Sequence, residues 1–380
     1  MSKDKNYYQL LGAIRDCSPE KTLEKAKQLY KKYGITRVAN VTGLDQIGIY
    51  NAICVRPNSK SLSVSQGKGL TQINANVSAV MESIERWHAE NLPKPELHGS
   101  YQTLSQSINL VNPVSLSDNY FDMSYINNLE VKWLKAHNLS NNSVAYVPYD
   151  YVSLDTTQSS LTGLLLGASS TGLASGNNYY EANCQALFEI IERHSHYLFE
   201  KTTSEEKKYN KIDLNSIQDP LNVNLINKFI GKNSSVSVWD MTSKLDIPAY
   251  YCIIQDNNPF TGLTYFSGKG CHFDKYIALS RALTEAAQSR LTIISGARDD
   301  LDDIFFDRQF TGDKYQNGKL AFEHRYFTYE ANSKWIFNQL IKILNENSYS
   351  NIYCVNLTEE TDIFSVVKII IPQMHDVMRR

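Results

Sequence analysis

The apolar positions of residues 75–87, ANVSAVMESIERW, recur every three or four residues, which predicts an amphipathic helix. Residues 182–194, ANCQALFEIIERH, repeat this pattern nearly letter for letter and predict a second helix of the same kind. Each helix carries two glutamates three positions apart, namely Glu82 and Glu85, and Glu189 and Glu192. This spacing places both side chains of a pair on one helical face, with Cβ atoms about 5–6 Å apart.

The acidic pattern returns in a third predicted helix over residues 275–300, where it consists of Glu285, Gln288 and Arg290. Aligned on their alanines, the three helices share Ala-x-x-Glu-x-x-(Glu/Gln) with an arginine close behind. The arginines of the first two copies are Arg86 and Arg193. A single string of this kind is common on exposed helices, where a Glu–Arg pair stabilises the helix by only about 0.3 kcal/mol. Three copies with apolar flanks favour a shared site instead.

The rest of the pattern mixes strands and helices without a regular βαβ order, which predicts an α+β fold with mixed sheets or an irregular α/β architecture. A helix is predicted over residues 18–34, with Ser18 as N-cap, Pro19 in the first position and Gly34 as the stop. Strands are predicted at 35–43, 47–57, 131–137, 145–154, 235–242, 247–255, 264–273, 352–358 and 366–372.

Three other segments are assigned by their composition. Residues 63–71, SVSQGKGLT, predict a glycine-bearing turn, and the polar residues 201–235 predict an exposed connection. Residues 167–176, GASSTGLASG, fit either a set of backbone N–H donors for an anion or a flexible connection. The chain is thus expected to divide into an N-terminal helical segment, 1–35, and one domain, 36–380.

The composition is that of an ordinary globular protein, with 380 residues, of which 42% are hydrophobic and 21% charged. A net charge of −2 provides no basic field for nucleic acid or an anionic membrane. The apolar runs are too short to cross a bilayer, and the first residues lack the apolar core of a secretory signal. Six cysteines without metal-site spacing indicate buried thiols. A cytoplasmic protein without nucleic-acid or membrane partners is expected.

The acidic helices require positive charge, because a half-buried carboxylate without a partner is costly and neighbouring carboxylates raise each other's pKa. Arginine side chains or a hard cation would meet this requirement. Mg²⁺ prefers oxygen ligands and commonly joins one or two carboxylates to substrate phosphates. A Ca²⁺-binding module is a weaker alternative, since the chain has no EF-hand loop.

Five segments resemble, in order, the motifs of the YcaO family. They are TRVANVTGLDQIGIYNAICVRP, SQGKGLTQINANVSAVMESIER, GLASGNNYYEANCQALFEIIERHS, ALTEAAQSRLTIISGARDD and VNLTEETDIFSVVKIIIP. The resemblance extends from about Thr36 to Pro372. It implies a YcaO-type fold with its own kind of ATP site, and the chain indeed has no P-loop string, GxxxxGKS or GxxxxGKT.

By this resemblance, Mg²⁺ ions that bridge the nucleotide phosphates are held by Glu82, Glu85, Glu189, Glu192, Glu285 and Gln288. It also implies nucleotide contacts from Lys68, Ser78, Arg86, Gln185, Arg193 and Arg290. No side chain is implied as a general acid or base. The implied reaction is ATP-dependent phosphorylation of a peptide-backbone amide, in the post-translational modification of a ribosomal peptide or protein. A side-chain nucleophile then produces an azoline, as in a cyclodehydratase, whereas sulfide produces a thioamide and an amine an amidine.

Two segments depart from the family pattern. The second motif reads ERHS where relatives commonly have ERDA, and we expect His194 and His196 to be packing or surface residues rather than metal ligands. After VVKIIIP, relatives usually have Gly-Leu-Glu, whereas this chain has Gln373, Met374 and His375. No proline-rich tail like that of many azoline-forming members follows, which favours thioamidation or another reaction that forms no azoline. A non-catalytic nucleotide-binding scaffold is the alternative function.

The resemblance also implies partners. A separate protein is expected, TfuA-like for thioamidation or E1-like for cyclodehydration, because the residues before Thr36 are too few for a peptide-binding winged helix. Homodimers occur in the family, which leaves a homodimer open for this chain. Of the two glycine-bracketed lysines, Lys68 is expected near the site, and Lys269 is expected in a strand-end turn.

Overall fold

Helices and sheets alternate irregularly along the chain, which confirms the predicted α+β class. The structure is a computed structural model that describes residues 8–10, 13–116, 124–158, 160–167, 169–257, 265–296, 317–322, 332–359 and 361–377. The helices are α1 (Pro19–Lys27), α2 (Tyr30–Tyr33), α3 (Gln72–Glu90), α4 (Tyr101–Leu104), α5 (Tyr149–Val152), α6 (Leu161–Leu166), α7 (Tyr179–Glu200), α8 (Ser204–Tyr209), α9 (Pro220–Ile230), α10 (Lys275–Ser295) and α11 (Ser333–Glu346).

The strands are β1 (Tyr8–Leu10), β2 (Ala13–Arg15), β3 (Arg37–Asn40), β4 (Tyr50–Val55), β5 (Val64–Gly69), β6 (Leu97–Gly99), β7 (Val131–Asn138), β8 (Val144–Pro148), β9 (Leu173–Gly176), β10 (Ser234–Asp240), β11 (Ala249–Asp256), β12 (Tyr265–Cys271), β13 (Tyr353–Asn356) and β14 (Ser365–Ile370). Within the described residues these strands pair antiparallel, rather than in the mixed sheets predicted.

Each of the three acidic helices follows a strand that lies at a sheet edge. One sheet has the order β3-β4-β5 and another the order β10-β11-β12, and each leads directly into a long helix, α3 or α10. The largest sheet has the order β6-β7-β13-β14-β9, with β8 paired to β7, and β9 leads into α7. The strands β5, β9 and β12, which immediately precede the three acidic helices, therefore all lie at a sheet edge.

The helix predicted over 18–34 is present but interrupted. Ser18 caps its start, Pro19 occupies the first turn, and Gly34 ends it with a φ of 68°. The helix breaks at Leu29, whose φ of −103° and ψ of 0° lie outside the α region, so two helices form instead of one. The strands β1 and β2 precede them, so the N-terminal segment is not purely helical. At the other predicted boundary, residues 297–300 of the third acidic helix lie outside the described residues.

Two predictions for glycine-bearing segments are wrong. The expected turn over 63–71 contains β5, and Lys269 lies within β12 rather than in a turn. Of the two alternatives for residues 167–176, the flexible connection does not hold for the last four residues, which form β9 and are all buried. A further correction concerns residues 145–154, whose second half forms α5 instead of continuing the strand.

Two glycines let edge strands lie directly on acidic helices. A Cβ on Gly67 of β5 would lie 2.1 Å from the backbone nitrogen of Ala79 and 2.2 Å from the carbonyl oxygen of Ala75 in α3. A Cβ on Gly268 of β12 would lie 2.2 Å from the backbone nitrogen of Ala286 in α10. Close-packed interiors have no room for such an atom, so these glycines set the separation between strand and helix.

The expectation of an exposed connection over residues 201–235 is wrong. This stretch contains α8 and α9, and α9 buries Leu225, Ile226 and Phe229 in a core shared with β10, β11 and α10. The apolar residues of α9 recur at helical spacing, as expected for a helix with one buried face. The polar composition of the flanking residues concealed this short amphipathic helix.

The 22-residue helix α7 passes through the interior. Its residues Ala186, Leu187 and Ile191 have no exposed surface, and they belong to a core that also includes residues of α11 and β14. Burial of this helix brings Glu192, which is 6% exposed, inside the molecule.

None of the helices in the described parts of the chain combines the length and hydrophobicity that spanning a bilayer requires.

Candidate functional site

Edge strands supply backbone donors to the acidic helices. A strand at a sheet edge has N–H groups without a strand partner, and buried N–H groups require an acceptor. The backbone N–H donors and their carboxylate acceptors are Gln66 to Glu82 at 3.1 Å, Ser175 to Glu85 at 2.8 Å and Lys269 to Glu285 at 3.3 Å. These donors lie in β5, β9 and β12, so one glutamate from α3 or α10 is turned toward each sheet edge.

The glutamates of α7 complete the arrangement. The backbone N–H of Gly172, just before β9, donates to Oε2 of Glu189 at 3.1 Å. Glu192, one turn later, interacts electrostatically with Glu285 of α10, and Glu189 interacts with Glu85 of α3. The structure thus brings together the five glutamates that the three helical motifs contribute.

Three of these glutamates have a direct cationic partner. Arg86 lies 3.2 Å from Glu82 and Arg193 lies 2.9 Å from Glu189, both as pairs four residues apart on one helix. The third pair is long-range, because Lys68 of β5 donates to Glu285 of α10. This last contact connects the first acidic motif to the third.

Glu85 has no cation among its strongest electrostatic interactions. Burial raises the pKa of Glu85 to about 8, hydrogen bonds from Ser175 oppose this shift, and the charges of Glu82 and Glu189 reinforce it. The side-chain hydroxyl and the backbone N–H of Ser175 both donate to the same carboxylate oxygen at 2.8 Å. The other oxygen of Glu85 remains for a further partner, and a positive charge there would lower the pKa.

Glu192 and Glu285 form an unequal pair. Burial raises the pKa of Glu192, and the neighbouring charge of Glu285 adds to the rise. Burial also opposes ionisation of Glu285, but Lys68 and Lys269 outweigh it and hold the pKa of that carboxyl below its usual range. The two lysines therefore keep Glu285 ionised, and Glu192 is the carboxyl of the pair that binds a proton more readily.

Replacing Glu85 with Gln is expected to flatten the pH dependence of stability in the metal-free protein. The folded-state pKa of about 8 exceeds the ordinary value of 4.5, so the folded state binds this proton more tightly than the unfolded state. The resulting stabilisation is complete below pH 4.5 and is lost as the pH rises through about 8, with a limiting slope of about 1.4 kcal/mol per pH unit.

The measurement is urea denaturation in a chelator between about pH 7.5 and 8.5, where ordinary histidines are largely neutral in the unfolded chain. The free energy of unfolding should fall with pH more steeply in the wild type than in Glu85→Gln. The exposed Glu346 of α11 offers a matched Glu→Gln control that should keep the wild-type slope. If the free energy of unfolding changed with pH equally in all three proteins, the raised pKa of Glu85 would be contradicted.

Lys269 is a site residue that sequence reasoning missed. Gly268 and Gly270 both face α10, so the side chain of Lys269 between them points to the opposite face of the strand. Its charge acts on Glu192 and Glu285, and its backbone N–H donates to Glu285. The signal was present, because the triplet Gly-Lys-Gly occurs ahead of the first and third acidic helices alike.

The predicted polar contacts lie on the same helices. Ser78 and Gln288 are half-buried, each one turn from a glutamate of its own helix. Gln185 of α7 accepts a hydrogen bond from Arg281 of α10 at 3.0 Å. Arg281 was not predicted as a site residue, although its charge lowers the pKa of Glu192.

Arg290 is engaged in a buried ion-pair network. Its guanidinium lies 3.1 Å from Asp45 and 2.8 Å from Asp256, and all three side chains are at most 7% exposed. Asp45 follows β3, and Asp256 ends β11, so Arg290 connects the two three-stranded sheets. Its predicted contact with nucleotide remains a prediction, and its observed contacts are structural.

His194 and His196 pack in the interior, as predicted. Nδ1 of His194 accepts a hydrogen bond from the backbone N–H of His375 at 3.1 Å, and its Nε2 lies 3.2 Å from the hydroxyl of Tyr349. The ring of His196 lies 4.8 Å from that of Tyr251. Burial lowers the pKa of both imidazoles, to about 4 and about 3 respectively, so both are neutral at physiological pH.

The carboxylates of the site suit a hard cation, but within the described residues they do not form a complete set of metal ligands. Among the residues that the structure describes, no group of three or more His, Cys, Asp or Glu side chains is arranged to hold a metal ion. Mg²⁺ commonly takes only one or two carboxylates and fills its other positions with water and phosphate oxygens. Burial, reinforced by neighbouring carboxylates, raises the pKa of both Glu85 and Glu192. A cation beside them would favour their ionised forms, so the two carboxyl groups fit Mg²⁺.

The sequence profile of the YcaO family, described as a YcaO cyclodehydratase that binds ATP and Mg²⁺, matches residues 66–375. This range begins within β5 and includes all three acidic helices and β14. The chain therefore belongs to the YcaO family.

Three uncharacterized proteins are similar to this chain. One from Mycobacterium tuberculosis is 36% identical over 307 residues, covering 78% of this chain and 66% of its own length. One from Rhizobium leguminosarum bv. trifolii, in the 3′ region of tfuA, is 32% identical and covers 77% and 70%. One from Methanothermobacter thermautotrophicus is 31% identical and covers 74% and 72%. The chain thus spans 66% of the length of the mycobacterial relative.

Solved structures share the fold. YcaO from Methanopyrus kandleri, bound with AMPPCP and Mg²⁺, matches with a TM-score of 0.75 at 20% identity, covering 98% of this chain and 96% of that one. A heterocyclase in complex with substrate and cofactor matches with 0.76 at 19% identity, covering 99% and 54%. The Escherichia coli microcin synthetase McbBCD complex matches with 0.66 at 17% identity, covering 89% and 88%. These matches confirm the predicted YcaO-type fold.

Proposed function

We propose that this chain binds ATP with Mg²⁺ and phosphorylates the oxygen of a backbone amide in a peptide substrate. The observation that carries the proposal is that the acidic faces of α3, α7 and α10 lie close enough for their charges to interact. Membership in a family described as ATP- and Mg²⁺-binding supports it. The Methanopyrus kandleri protein of the same fold, bound with AMPPCP and Mg²⁺, is consistent with it.

The metal would be held by the acidic side chains of the three motifs. When bound, Mg²⁺ neutralises charge on phosphate oxygens and aligns them for transfer. The proposed ligands are Glu82, Glu85, Glu189, Glu192 and Glu285, with Gln288 as an amide donor. Glu85 and Glu192 gain most from a cation, because their pKa values are raised in its absence.

The phosphates would also meet protein cations. Lys68 and Lys269 lie on two edge strands and act on the same carboxylate, Glu285. A lysine ammonium is a compact point charge that suits a phosphate oxygen. The other proposed nucleotide contacts are Ser78, Arg86, Gln185, Arg193 and Arg290. Of these, Arg290 is held by ion pairs with Asp45 and Asp256, and we propose that these two carboxylates fix its position relative to the nucleotide.

The reaction needs positioning more than it needs a protein nucleophile. A nucleophile adds to the amide carbonyl carbon and leaves an oxyanion, which attacks the γ-phosphorus of ATP and releases ADP. The carbon–oxygen bond then breaks, and phosphate leaves with the former amide oxygen. With sulfide, the added sulfur loses its proton and forms the C=S double bond. With a side-chain nucleophile, whose addition has already closed the ring, the amide nitrogen loses its proton and forms the C=N double bond. Phosphoryl transfer of this kind depends mainly on charge neutralisation and alignment, which explains a site rich in metal-binding carboxylates.

Two products are proposed, each with its own support. Thioamide formation, with sulfide as nucleophile and a TfuA-like partner, is supported by the Rhizobium relative encoded in the tfuA region. Azoline formation, with a Cys, Ser or Thr side chain of the peptide as nucleophile and an E1-like partner, is supported by the family description as a cyclodehydratase. We place thioamide formation first, because the Rhizobium relative is 32% identical to this chain.

The test is intact-mass analysis of a candidate precursor peptide, encoded beside the gene, after incubation with the protein, ATP, MgCl₂ and sulfide. Replacement of one oxygen by sulfur supports thioamide formation, and loss of one water supports azoline formation. ADP release should be measured in parallel and should require the peptide. If ATP binds without ADP release or a mass change in the presence of either partner, the scaffold alternative replaces the proposed enzyme.

Replacing Lys269 with Ala is expected to weaken ATP binding about tenfold, roughly the contribution of one charge-assisted contact. The variant should also raise the pH at which Glu285 ionises, because Lys269 helps to hold its pKa low. Calorimetric titration with AMPPCP and MgCl₂ measures the affinity. Lys135, an exposed lysine on β7, offers a control Lys→Ala variant that should bind like the wild type. Equal affinities in all three proteins would remove Lys269 from the site.

A further inference from the structure

The segment that follows β14 returns to the second acidic helix. Asp376 lies four residues beyond Pro372, and its side chain is 2% exposed. The same carboxylate oxygen of Asp376 lies 2.9 Å from Nη1 of Arg193 and accepts a hydrogen bond from the hydroxyl of Thr171 at 2.8 Å. The adjacent backbone N–H of His375 donates to His194. Two consecutive residues of this segment thus contact two consecutive residues of the second motif.

Arg193 is shared between two carboxylates. Its Nε and Nη2 lie 3.1 Å and 2.9 Å from one oxygen of Glu189, while its Nη1 contacts Asp376. Glu189 in turn accepts from the backbone N–H of Gly172, the residue after Thr171, so the contacts close into a ring. Arg193, Glu189 and Asp376 together carry one net negative charge when all are ionised.

The first acidic helix lacks this feature. There the equivalent arginine, Arg86, contacts Glu82 at 3.2 Å, and within the described residues no second carboxylate joins the pair. A Glu–Arg pair without a further carboxylate is neutral overall. Asp376 adds one negative charge beside the Glu189–Arg193 pair, and the Glu82–Arg86 pair has no such neighbour within the described residues. Glu189 should therefore attract a cation more strongly than Glu82 does.

We propose that Asp376 is a positioning residue that draws Arg193 partly away from Glu189, so that Glu189 keeps negative charge for a divalent cation. The proposal rests on the proposed function, because the cation is the Mg²⁺ of that site. Asp376 itself touches Arg193 and Thr171 and acts on the cation through Arg193. The carboxylate of Asp376 is buried and Arg193 is half-buried, so the charge of Asp376 is weakly screened by solvent and its loss should be measurable.

The test compares Asp376→Asn with wild type in the full chain. Calorimetric titration of MgCl₂ at a fixed AMPPCP concentration measures the Mg²⁺ concentration for half-saturation. We expect this midpoint to rise about tenfold in Asp376→Asn, because Arg193 then neutralises Glu189 alone. Thr171→Val is nearly isosteric and removes one hydrogen bond that orients Asp376, and it should raise the midpoint about threefold.

Glu90→Gln is the matched control. Glu90 forms a buried ion pair with Arg56, with side chains 2% and 3% exposed, at the other end of α3. Its replacement should lower the unfolding temperature and leave the Mg²⁺ midpoint unchanged. An unchanged midpoint in Thr171→Val and in folded Asp376→Asn would show that Asp376 is structural only. Should Asp376→Asn fail to fold, Thr171→Val alone decides.

The outcomes separate this inference from the function beneath it. If wild type binds AMPPCP with no dependence on MgCl₂, the proposed function is overturned, and this inference falls with it. If wild type requires MgCl₂ and the variants share its midpoint, the proposed function stands and the role of Asp376 is overturned. A raised midpoint in Asp376→Asn and Thr171→Val, with a normal midpoint in Glu90→Gln, supports both.

Discussion

Glu189→Gln is expected to abolish ATP-dependent modification of the peptide while leaving the protein folded. Gln keeps the shape of the side chain and can still accept from the backbone N–H of Gly172, but it lacks the charge that would hold Mg²⁺. Loss of one preorganised electrostatic contact typically lowers the catalytic rate about 100-fold to 1,000-fold. ADP release with peptide present and intact peptide mass measure the effect.

Folding of this variant must be established independently, by circular dichroism and thermal unfolding. Glu200 lies on the same helix and is exposed by 38%, so Glu200→Gln is the matched control and should keep full turnover. Glu189→Gln with wild-type turnover would count heavily against the proposed site. Glu189→Gln that fails to unfold cooperatively would show a structural role instead.

Gly67→Ala is expected to lower the free energy of unfolding by about 3 kcal/mol, at the upper end of the usual cost of overpacking. The added Cβ would lie 2.1 Å from a backbone nitrogen and 2.2 Å from a carbonyl oxygen of α3, and backbone atoms cannot rotate away as a side chain can. The helix must therefore move from β5, which would also displace Glu82 from its contact with the N–H of Gln66.

Urea denaturation monitored by fluorescence measures this loss. Gly43 is the matched control, because a Cβ at that position meets no atom within 4 Å and its backbone conformation has no positive φ. Gly43→Ala should change the free energy of unfolding by less than about 1 kcal/mol. Equal stability of Gly67→Ala and wild type would mean that β5 and α3 are not held at this separation.

The acidic helices illustrate what local sequence can predict. In α3 and α7, alanines and branched apolar residues recur at helical spacing and are buried. The glutamates of each pair lie between them, three positions apart. Such periodicity is a local property, so it predicts helix type, approximate position and the shared face of each acidic pair. Their repetition then suggested one site before any contact was known.

The glycine-bracketed lysines illustrate what local sequence misses. Gly-Lys-Gly has low strand propensity, so local sequence predicts a turn over residues 63–71. The same triplet forms part of β5 and β12 because the glycines fit against α3 and α10. Helix packing, which is a tertiary effect, overrides the propensity of the strand. Because Lys68 and Lys269 occur in the same triplet, each ahead of an acidic helix, the position of Lys68 at the site predicts the same position for Lys269.

The amino-acid sequence by itself determined the α+β class, the three acidic helices, the family and the residue types that suit a cation bound to phosphate. Only the tertiary structure decided which charges meet. Lys68 pairs with Glu285 across 217 positions of sequence, and Asp376 reaches Arg193 across 183. Sequence periodicity relates residues that lie one helical turn apart. These long-range pairs depend instead on how the sheet edges are placed against the helices, and close packing at Gly67 and Gly268 fixes that placement.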